Sequence, residues 1–164
     1  MKKILVIAVA ILFAAPTFAQ KFGHIDSAAL LELMPEKKKA EAELEAFAKE
    51  FQTALEAMAK EYEGKVGAFQ QGEKDMIKTV RDTKVREIAD LEKRIQEFQQ
   101  QAQQEIGKKE QDVLTPIIDK ARKAIDEVAV EKGYTYVFDN SAGFLLYAKD
   151  TEDVMAEVKA KLGL

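Results

Sequence analysis

The sequence LEAFAKEFQTALEAMAKEYEGKVGAF, residues 44–69, carries one narrow stripe of large apolar side chains. Successive members of this stripe are 3, 4, 4, 3, 4, 4 and 3 residues apart, which is the spacing of one helix face. The members are Leu44, Phe47, Phe51, Leu55, Met58, Tyr62, Val66 and Phe69. Because so narrow a stripe cannot build a globular core, it predicts a long helix that packs against another helix.

A second stripe of the same kind follows the glycine-dotted stretch that ends at Gly72. Its members are Ile77, Val80, Ile88, Leu91, Ile95, Phe98, Ala102, Ile106, Val113, Ile117, Ala121, Ile125 and Val128. We therefore expect residues 35–132 to form a long antiparallel helical-hairpin arm, a coiled coil with its turn near residues 70–77. Counting back from a turn at Gly72 places Leu44 beside residues 102–106.

The remaining chain is short and its composition favours β-structure. Residues 21–26 are typical of a short strand, and residues 134–139 and 144–148 flank a turn at 140–143, which predicts a β-hairpin. A last amphipathic helix carries Val154, Val158 and Leu162 on one face. The predicted fold class is therefore mainly α with a small β body (α+β), in which residues 20–34 and 133–164 supply a three-element sheet.

The predicted strands are apolar on both faces, so both faces require burial. One face can pack beneath the protein's own helices, but too little chain remains to cover the other. Self-association through the sheet is the economical solution. The residues expected to mediate oligomerisation are Phe22, Ile25, Tyr136, Phe138, Leu145 and Tyr147.

The first 19 residues have the pattern of a cleaved signal peptide. Lys2 and Lys3 precede an apolar run from Ile4 to Ala15, and small residues precede the expected cleavage before Gln20. This run is too short to cross a bilayer, which requires about 20 apolar residues. We therefore expect export, and the style of the signal indicates the periplasm.

Composition argues against most other functions. Without the two signal lysines, 23 basic residues face 29 acidic ones, a net charge of −6, which does not favour nucleic-acid binding. The chain has no cysteine, one histidine (His24) and two serines, Ser27 and Ser141. We therefore expect no enzyme activity, no catalytic residues, no cofactor and no metal site.

The predicted turn end of the arm is locally basic. Lys78, Arg81 and Lys84 lie there, and one interpretation is contact with client proteins or with anionic lipid headgroups. The alternative is an ordinary solvated helix surface, because acidic neighbours balance these cations. The neighbours are Glu73, Asp75, Asp82 and Glu87.

The order of signal, strand, helical hairpin, β-hairpin and short helix resembles the Skp/OmpH-like family of periplasmic chaperones. The resemblance is most specific at the ends, in FGHID at residues 22–26 and in YVFD at 136–139 through LLY at 145–147. It implies a homotrimer in which three arms enclose unfolded outer-membrane proteins and prevent their aggregation without ATP. The acidic charge departs from the strongly basic members, which leaves lipid or lipopolysaccharide contact open.

Two other classes of function remain open at this point. One is a structural coiled-coil spacer or scaffold of the cell envelope, and the other is an exported enzyme whose site forms between protomers. A holdase chaperone suppresses the aggregation of many unfolded clients, a scaffold binds one folded partner, and an enzyme turns over a substrate.

Overall fold

The computed structural model describes residues 20–164, so the predicted signal peptide, residues 1–19, lies outside the described residues. In chain order the elements are β1 (Phe22–Ile25), α1 (Ser27–Leu33), α2 (Pro35–Gly72), α3 (Lys78–Lys132), β2 (Tyr136–Asp139) and α4 (Met155–Leu162). Two short 3-10 helices, Glu73–Asp75 and Asp150–Glu152, lie before α3 and α4. The fold class is confirmed at this level, since the chain is mainly helical with a small sheet.

The described chain divides into two compact units. The sheet unit combines residues 20–30 with residues 122–164, and the arm unit consists of residues 31–121. The division expected from the sequence, at residues 34–35 and 132–133, stays a prediction about the protein's domains. Within residues 20–164, no helix combines the length and the apolar composition that crossing a membrane would require.

The sheet has two strands, β1 and β2, which pair in parallel with Phe22 opposite Tyr136 and Ile25 opposite Asp139. The predicted turn forms: the Gly143 N–H donates to the Asn140 carbonyl at 3.0 Å, and Gly143 has a φ of +70°. Residues 144–149, however, form no strand. The predicted β-hairpin and three-element sheet are therefore replaced by a parallel pair.

β2 pairs along one edge with β1, a strand far away in the sequence. A parallel pair needs a long crossover connection, and the residues between Ile25 and Tyr136 provide one. The other edge of β1 is also used, because His24 forms an isolated parallel bridge with Asp153 and the Val154 N–H donates to the His24 carbonyl at 3.0 Å. β1 is thus the central strand of this unit, and the outer edge of β2 is left without a strand in the described chain.

The core of the sheet unit lies on the face of β1 that carries Ile25. Its members are at most 3% exposed, and they are Ile25, Leu30, Val128, Val154 and Val158. Gly23 belongs to the same face: a Cβ there would lie 3.0 Å from the Tyr134 ring and 3.2 Å from Val154. At the opposite side of α4, Lys161 pairs with Glu127 and Glu131 of α3. These contacts cover the face that carries Ile25, whereas on the opposite face His24 is buried but Phe22, Tyr136 and Phe138 remain exposed.

The arm unit is held together by contacts between α2 and α3. Lys65 pairs with Glu87 at 3.6 Å, and the rings of Phe51 and Phe98 are 5.7 Å apart. Two further ion pairs join the helices, Glu43 with Lys109 and Glu36 with Lys120. As residue numbers rise along α2, the numbers of their partners along α3 fall. The most buried positions combine small side chains with a few large ones, and they are Ala40, Ala102 and Ala121 together with Met34 and Leu91.

The register counted back from Gly72 agrees with the aromatic contact between the helices. Phe51 lies 5.7 Å from Phe98, and the same offset places Leu44 beside Glu105, inside the expected residues 102–106. The ion pair of Glu43 with the long side chain of Lys109 lies about one helical turn further along α3. The register of the whole arm stays a prediction.

Candidate functional site

Three aromatic rings form a continuous surface on the face of the sheet opposite Ile25. Side chains alternate between the faces of a strand, so Phe22 of β1 lies on the same face as Tyr136 and Phe138 of β2. The ring of Phe22 is 5.9 Å from Tyr136 and 6.1 Å from Phe138, and the first pair is stacked at 11°. Yet Phe22, Tyr136 and Phe138 remain 41%, 55% and 48% exposed. Such a contiguous exposed apolar surface marks an interaction site.

The segment after the turn adds a second exposed apolar stretch. Phe144, Leu146 and Tyr147 are 87%, 96% and 79% exposed, and Leu145 between them is 37% exposed. The chain is anchored on both sides of this stretch. On one side the Asn140 N–H donates to the Ile25 carbonyl at 2.9 Å, and on the other the His24 Nε2 lies 3.2 Å from the Lys149 carbonyl. The four apolar residues therefore form an arch held at both ends by β1.

We call the three rings and residues 144–147 together the apolar surface. Five of the six residues that the sequence predicts for oligomerisation belong to it, namely Phe22, Tyr136, Phe138, Leu145 and Tyr147. The sixth, Ile25, does not, because it is 2% exposed and lies in the core. Ile25 is three residues from Phe22 and so lies on the opposite face of the strand. The role of all six in oligomerisation stays a prediction.

Sequence reasoning missed Phe144 and Leu146 as surface residues. The signal was available, since FLLY at residues 144–147 is four successive apolar residues directly after a turn. In a strand, half of these side chains would face inward. Because the segment forms no strand in this chain, they are exposed together.

Asp139 fastens the end of β2 to the start of α1. Its carboxylate accepts hydrogen bonds from the Ser27 hydroxyl at 2.5 Å, the Ser27 N–H at 3.2 Å and the Ser141 N–H at 3.0 Å. Burial opposes ionisation, but these hydrogen bonds outweigh it and lower the pKa of Asp139 to about 2. The ionised carboxylate thus connects the end of β2, the strand that carries Tyr136 and Phe138, to the start of α1 and to the turn after β2.

This network predicts a defined pH dependence for the variant Asp139→Asn. The pKa of Asp139 is lower in the folded protein than the ordinary value of about 3.9, so its stabilisation is complete above about pH 4 and is lost as pH falls toward about 2. After discounting for exposure to solvent, we expect the variant to lose about 1 kcal/mol at pH 6. Urea unfolding at fixed protein concentration measures the free energy of unfolding. The difference in this free energy between the variant and the unmodified protein should disappear between pH 4 and pH 2.

A matched control is Asp126→Asn, which removes one exposed carboxylate from α3 of the same unit. This variant should unfold like the unmodified protein at pH 6. A gap for Asp139→Asn that stays constant from pH 6 to pH 2 would contradict the assigned network.

The basic residues at the start of α3 are largely paired with acidic neighbours. Lys78 lies 2.7 Å from Asp82, and Lys84 lies 3.2 Å from Glu87. Hydrogen bonding from Lys84 lowers the pKa of Glu87, which Lys65 also approaches. Arg81 is exposed, and its backbone N–H donates a hydrogen bond to the Ile77 carbonyl at 3.1 Å. Contact of Lys78, Arg81 and Lys84 with clients or lipid headgroups stays a prediction, and the pairing reduces the charge available for it.

The described residues include few candidate groups for metal binding or catalysis. Among residues 20–164, no three histidine, aspartate or glutamate side chains are grouped in a way that could hold a metal ion. His24 is 9% exposed and bonds to a backbone carbonyl, which makes it a packed residue of the sheet. The apolar surface can bury itself against another polypeptide, and that is the chemistry the site offers.

Comparison with solved structures finds the same fold in a bacterial protein. It is a candidate outer membrane chaperone, OmpH-like, from Caulobacter crescentus, with a TM-score of 0.74 and 16% sequence identity. The match covers 90% of this chain and 86% of that one. No curated protein sequence is significantly similar to the chain. The family model described as outer membrane protein (OmpH-like) matches residues 21–162, so the chain belongs to the OmpH-like family.

Proposed function

We propose that this protein is an ATP-independent holdase chaperone of the periplasm, which binds unfolded outer-membrane proteins and prevents their aggregation. The observation that carries the proposal is membership of the OmpH-like family, and the apolar surface on the sheet unit supports the assembly that the proposal requires. A chain that exposes so much aromatic surface needs a partner to cover it, and a second copy of the same chain is always present. Export by the predicted signal peptide would place the protein where outer-membrane proteins pass.

The assembly we propose is a homotrimer formed through the sheet units. Phe22, Tyr136 and Phe138 would stack against the same surface of neighbouring copies, and the arches at residues 144–147 would close over them. The outer edge of β2 supports this, because its backbone groups would otherwise remain without a strand partner. Aromatic side chains are enriched in the cores of such interfaces.

The arms would then enclose the client. We propose that α2 and α3 form an antiparallel hairpin, since the contacts Lys65–Glu87, Phe51–Phe98 and Glu36–Lys120 descend along α3 as they ascend along α2. Three such arms projecting from one trimer would surround a cavity. Transient contact of Lys78, Arg81 and Lys84 with lipid headgroups is a further part of the proposal.

Chemical crosslinking tests the hairpin, and the absence of native cysteine makes the test clean. Phe51→Cys combined with Phe98→Cys should crosslink within one chain under a short thiol-reactive linker. The control pair, Phe51→Cys with Val113→Cys, places the second thiol about 22 Å further along α3 and should not react. Crosslinks that form only between chains would contradict the hairpin.

The function itself is tested by light scattering. An outer-membrane β-barrel diluted from urea aggregates, and the mature protein should suppress the scattering without nucleotide at about one trimer per client. A folded soluble domain of similar size replaces the client as a binding control. Suppression for several unrelated barrels supports the holdase. Binding of one folded partner without any suppression would instead support the structural spacer or scaffold.

A further inference from the structure

The arm unit contains an open groove of about 310 Å³ whose lining is aromatic and acidic. It is lined by Phe47, Glu50, Phe51, Phe98 and Glu105. The groove combines two features that attract a cation: aromatic rings, whose faces are negative, and carboxylates at its rim. It lies among the α2–α3 contacts, within a single unit of the structure.

Three aromatic rings form the floor of the groove. Phe47 and Phe51 meet edge to face at 5.2 Å and 81°, and Phe51 lies 5.7 Å from Phe98 at 44°. All three rings are only partly buried. Each ring thus combines packing against its neighbours with partial exposure, and each lines the groove.

The two carboxylates at the rim are not neutralised. Among the described residues, no lysine or arginine forms an ion pair with Glu50 or Glu105. Lys109, which lies one helical turn after Glu105, pairs with Glu43 instead, and Glu105 accepts a hydrogen bond only from the neutral Gln101 amide at 2.7 Å. Both carboxylates are exposed and can therefore receive a cation from outside.

We infer that this groove binds arginine side chains of unfolded client polypeptides, an inference that rests on the proposed holdase function. The planar guanidinium stacks on an aromatic face and donates hydrogen bonds to carboxylates at the same time, which the compact lysine ammonium does less well. The apolar floor also takes the methylene stem of the arginine. The two carboxylates repel an acidic client segment. A purely apolar segment contacts the rings but gives the carboxylates no cationic partner.

This assignment gives the acidic charge of the protein a role. The mature chain carries a net charge of −6, so it has no broad positive field with which to hold anionic clients. A groove that selects arginine within an otherwise apolar segment makes the arm selective for cationic–apolar sequences. The groove adds this selectivity to the apolar contacts on which holding depends.

The test uses two probe peptides and two double variants of the full mature protein. The first peptide is an unstructured, capped peptide with one arginine between two leucines, and the second replaces arginine by citrulline, which keeps the shape and removes the charge. The variant Glu50→Gln with Glu105→Gln removes both rim charges. The control, Glu45→Gln with Glu63→Gln, removes two exposed charges from α2 outside the groove.

Titration followed by NMR of fluorine-labelled phenylalanine should show the arginine peptide binding about three- to tenfold more tightly than the citrulline peptide. The Glu50/Glu105 variant should reduce that difference to the part supplied by stacking on the rings, and the Glu45/Glu63 variant should retain it in full. Equal binding of the two peptides to the unmodified protein overturns the inference, and so does an equal loss in the two variants, which would indicate general charge attraction.

The light-scattering assay keeps this inference separate from the proposed function. If the unmodified protein suppresses aggregation but does not distinguish the peptides, the holdase stands and the arginine groove is wrong. If the peptides are distinguished but aggregation is not suppressed, the groove stands and the holdase is wrong.

Discussion

Replacing Phe138 with aspartate is expected to convert the assembled protein into a folded monomer. Phe138 is 48% exposed in the single chain, so its own unit does not need the ring to fold. In the proposed assembly the new carboxylate would be buried against Phe22 and Tyr136 of neighbouring copies without a cationic partner. Leaving a charge buried and unpaired costs several kcal/mol, on the order of 3–5 per site, and a trimer repeats the site in each copy.

Sedimentation velocity measures the result directly. The unmodified protein should sediment as one species larger than a monomer, and Phe138→Asp should sediment as a monomer with an unchanged helical circular dichroism spectrum. The control is Val85→Asp, which places the same charge on a side chain of similar exposure, 49%, in the arm unit. That variant should remain assembled. An unmodified protein that is a stable monomer at micromolar concentration would overturn the proposed trimer.

The loss of assembly should also remove holdase activity. A single arm cannot enclose a client, so Phe138→Asp should fail to suppress the scattering of the diluted β-barrel at the concentration at which the unmodified protein succeeds. If the monomeric variant suppresses aggregation fully, enclosure by several arms is not how the protein works.

Replacing Leu91 with alanine is expected to destabilise the arm and to leave assembly intact. Leu91 is 1% exposed even though it lies in a unit built mainly from two long helices. Truncating a buried leucine typically costs 2–5 kcal/mol, and the arm has few other large buried side chains to compensate, so we expect a loss of about 3 kcal/mol. The conservative variant Leu91→Met keeps the volume and should lose less than about 1.5 kcal/mol.

Hydrogen exchange locates the effect of Leu91→Ala. Amides of α2 and α3 around Leu91 should exchange much faster than in the unmodified protein, whereas amides of β1 and β2 should be unchanged. Sedimentation should still show the assembled species. If the variant falls apart into monomers, the arm contributes to assembly, and the separation of the two units assumed for both predictions is wrong.

The two long helices could be predicted from the sequence because their evidence is local. The stripe from Leu44 to Phe69 has one period throughout, and a period of this kind is compatible with a helix and with no other regular structure. The glycine-dotted stretch also indicated where the first helix ends, although Gly64 and Gly67 lie within α2 and only Gly72 is its last residue. The turn at residues 140–143 also follows from local chemistry.

Strand pairing and register could not be predicted in the same way, because they depend on contacts between residues far apart in the chain. Residues 134–139 and 144–148 are both typical of strands, and sequence proximity favours a hairpin between them. The tertiary structure pairs Tyr136–Asp139 with Phe22–Ile25 instead, since the long excursion through α2 and α3 returns the chain beside β1.

The candidate site shows the same division. Apolar residues in strands, such as Phe22 and Tyr136, could be identified from the sequence alone as members of a surface that needs burial. Only the tertiary structure decided that Ile25 faces the core, that Phe144 and Leu146 are exposed, and that Glu50 and Glu105 flank the same aromatic rings. Helical periodicity is set by hydrogen bonds four residues apart, whereas the face a strand residue occupies depends on which distant segments cover it.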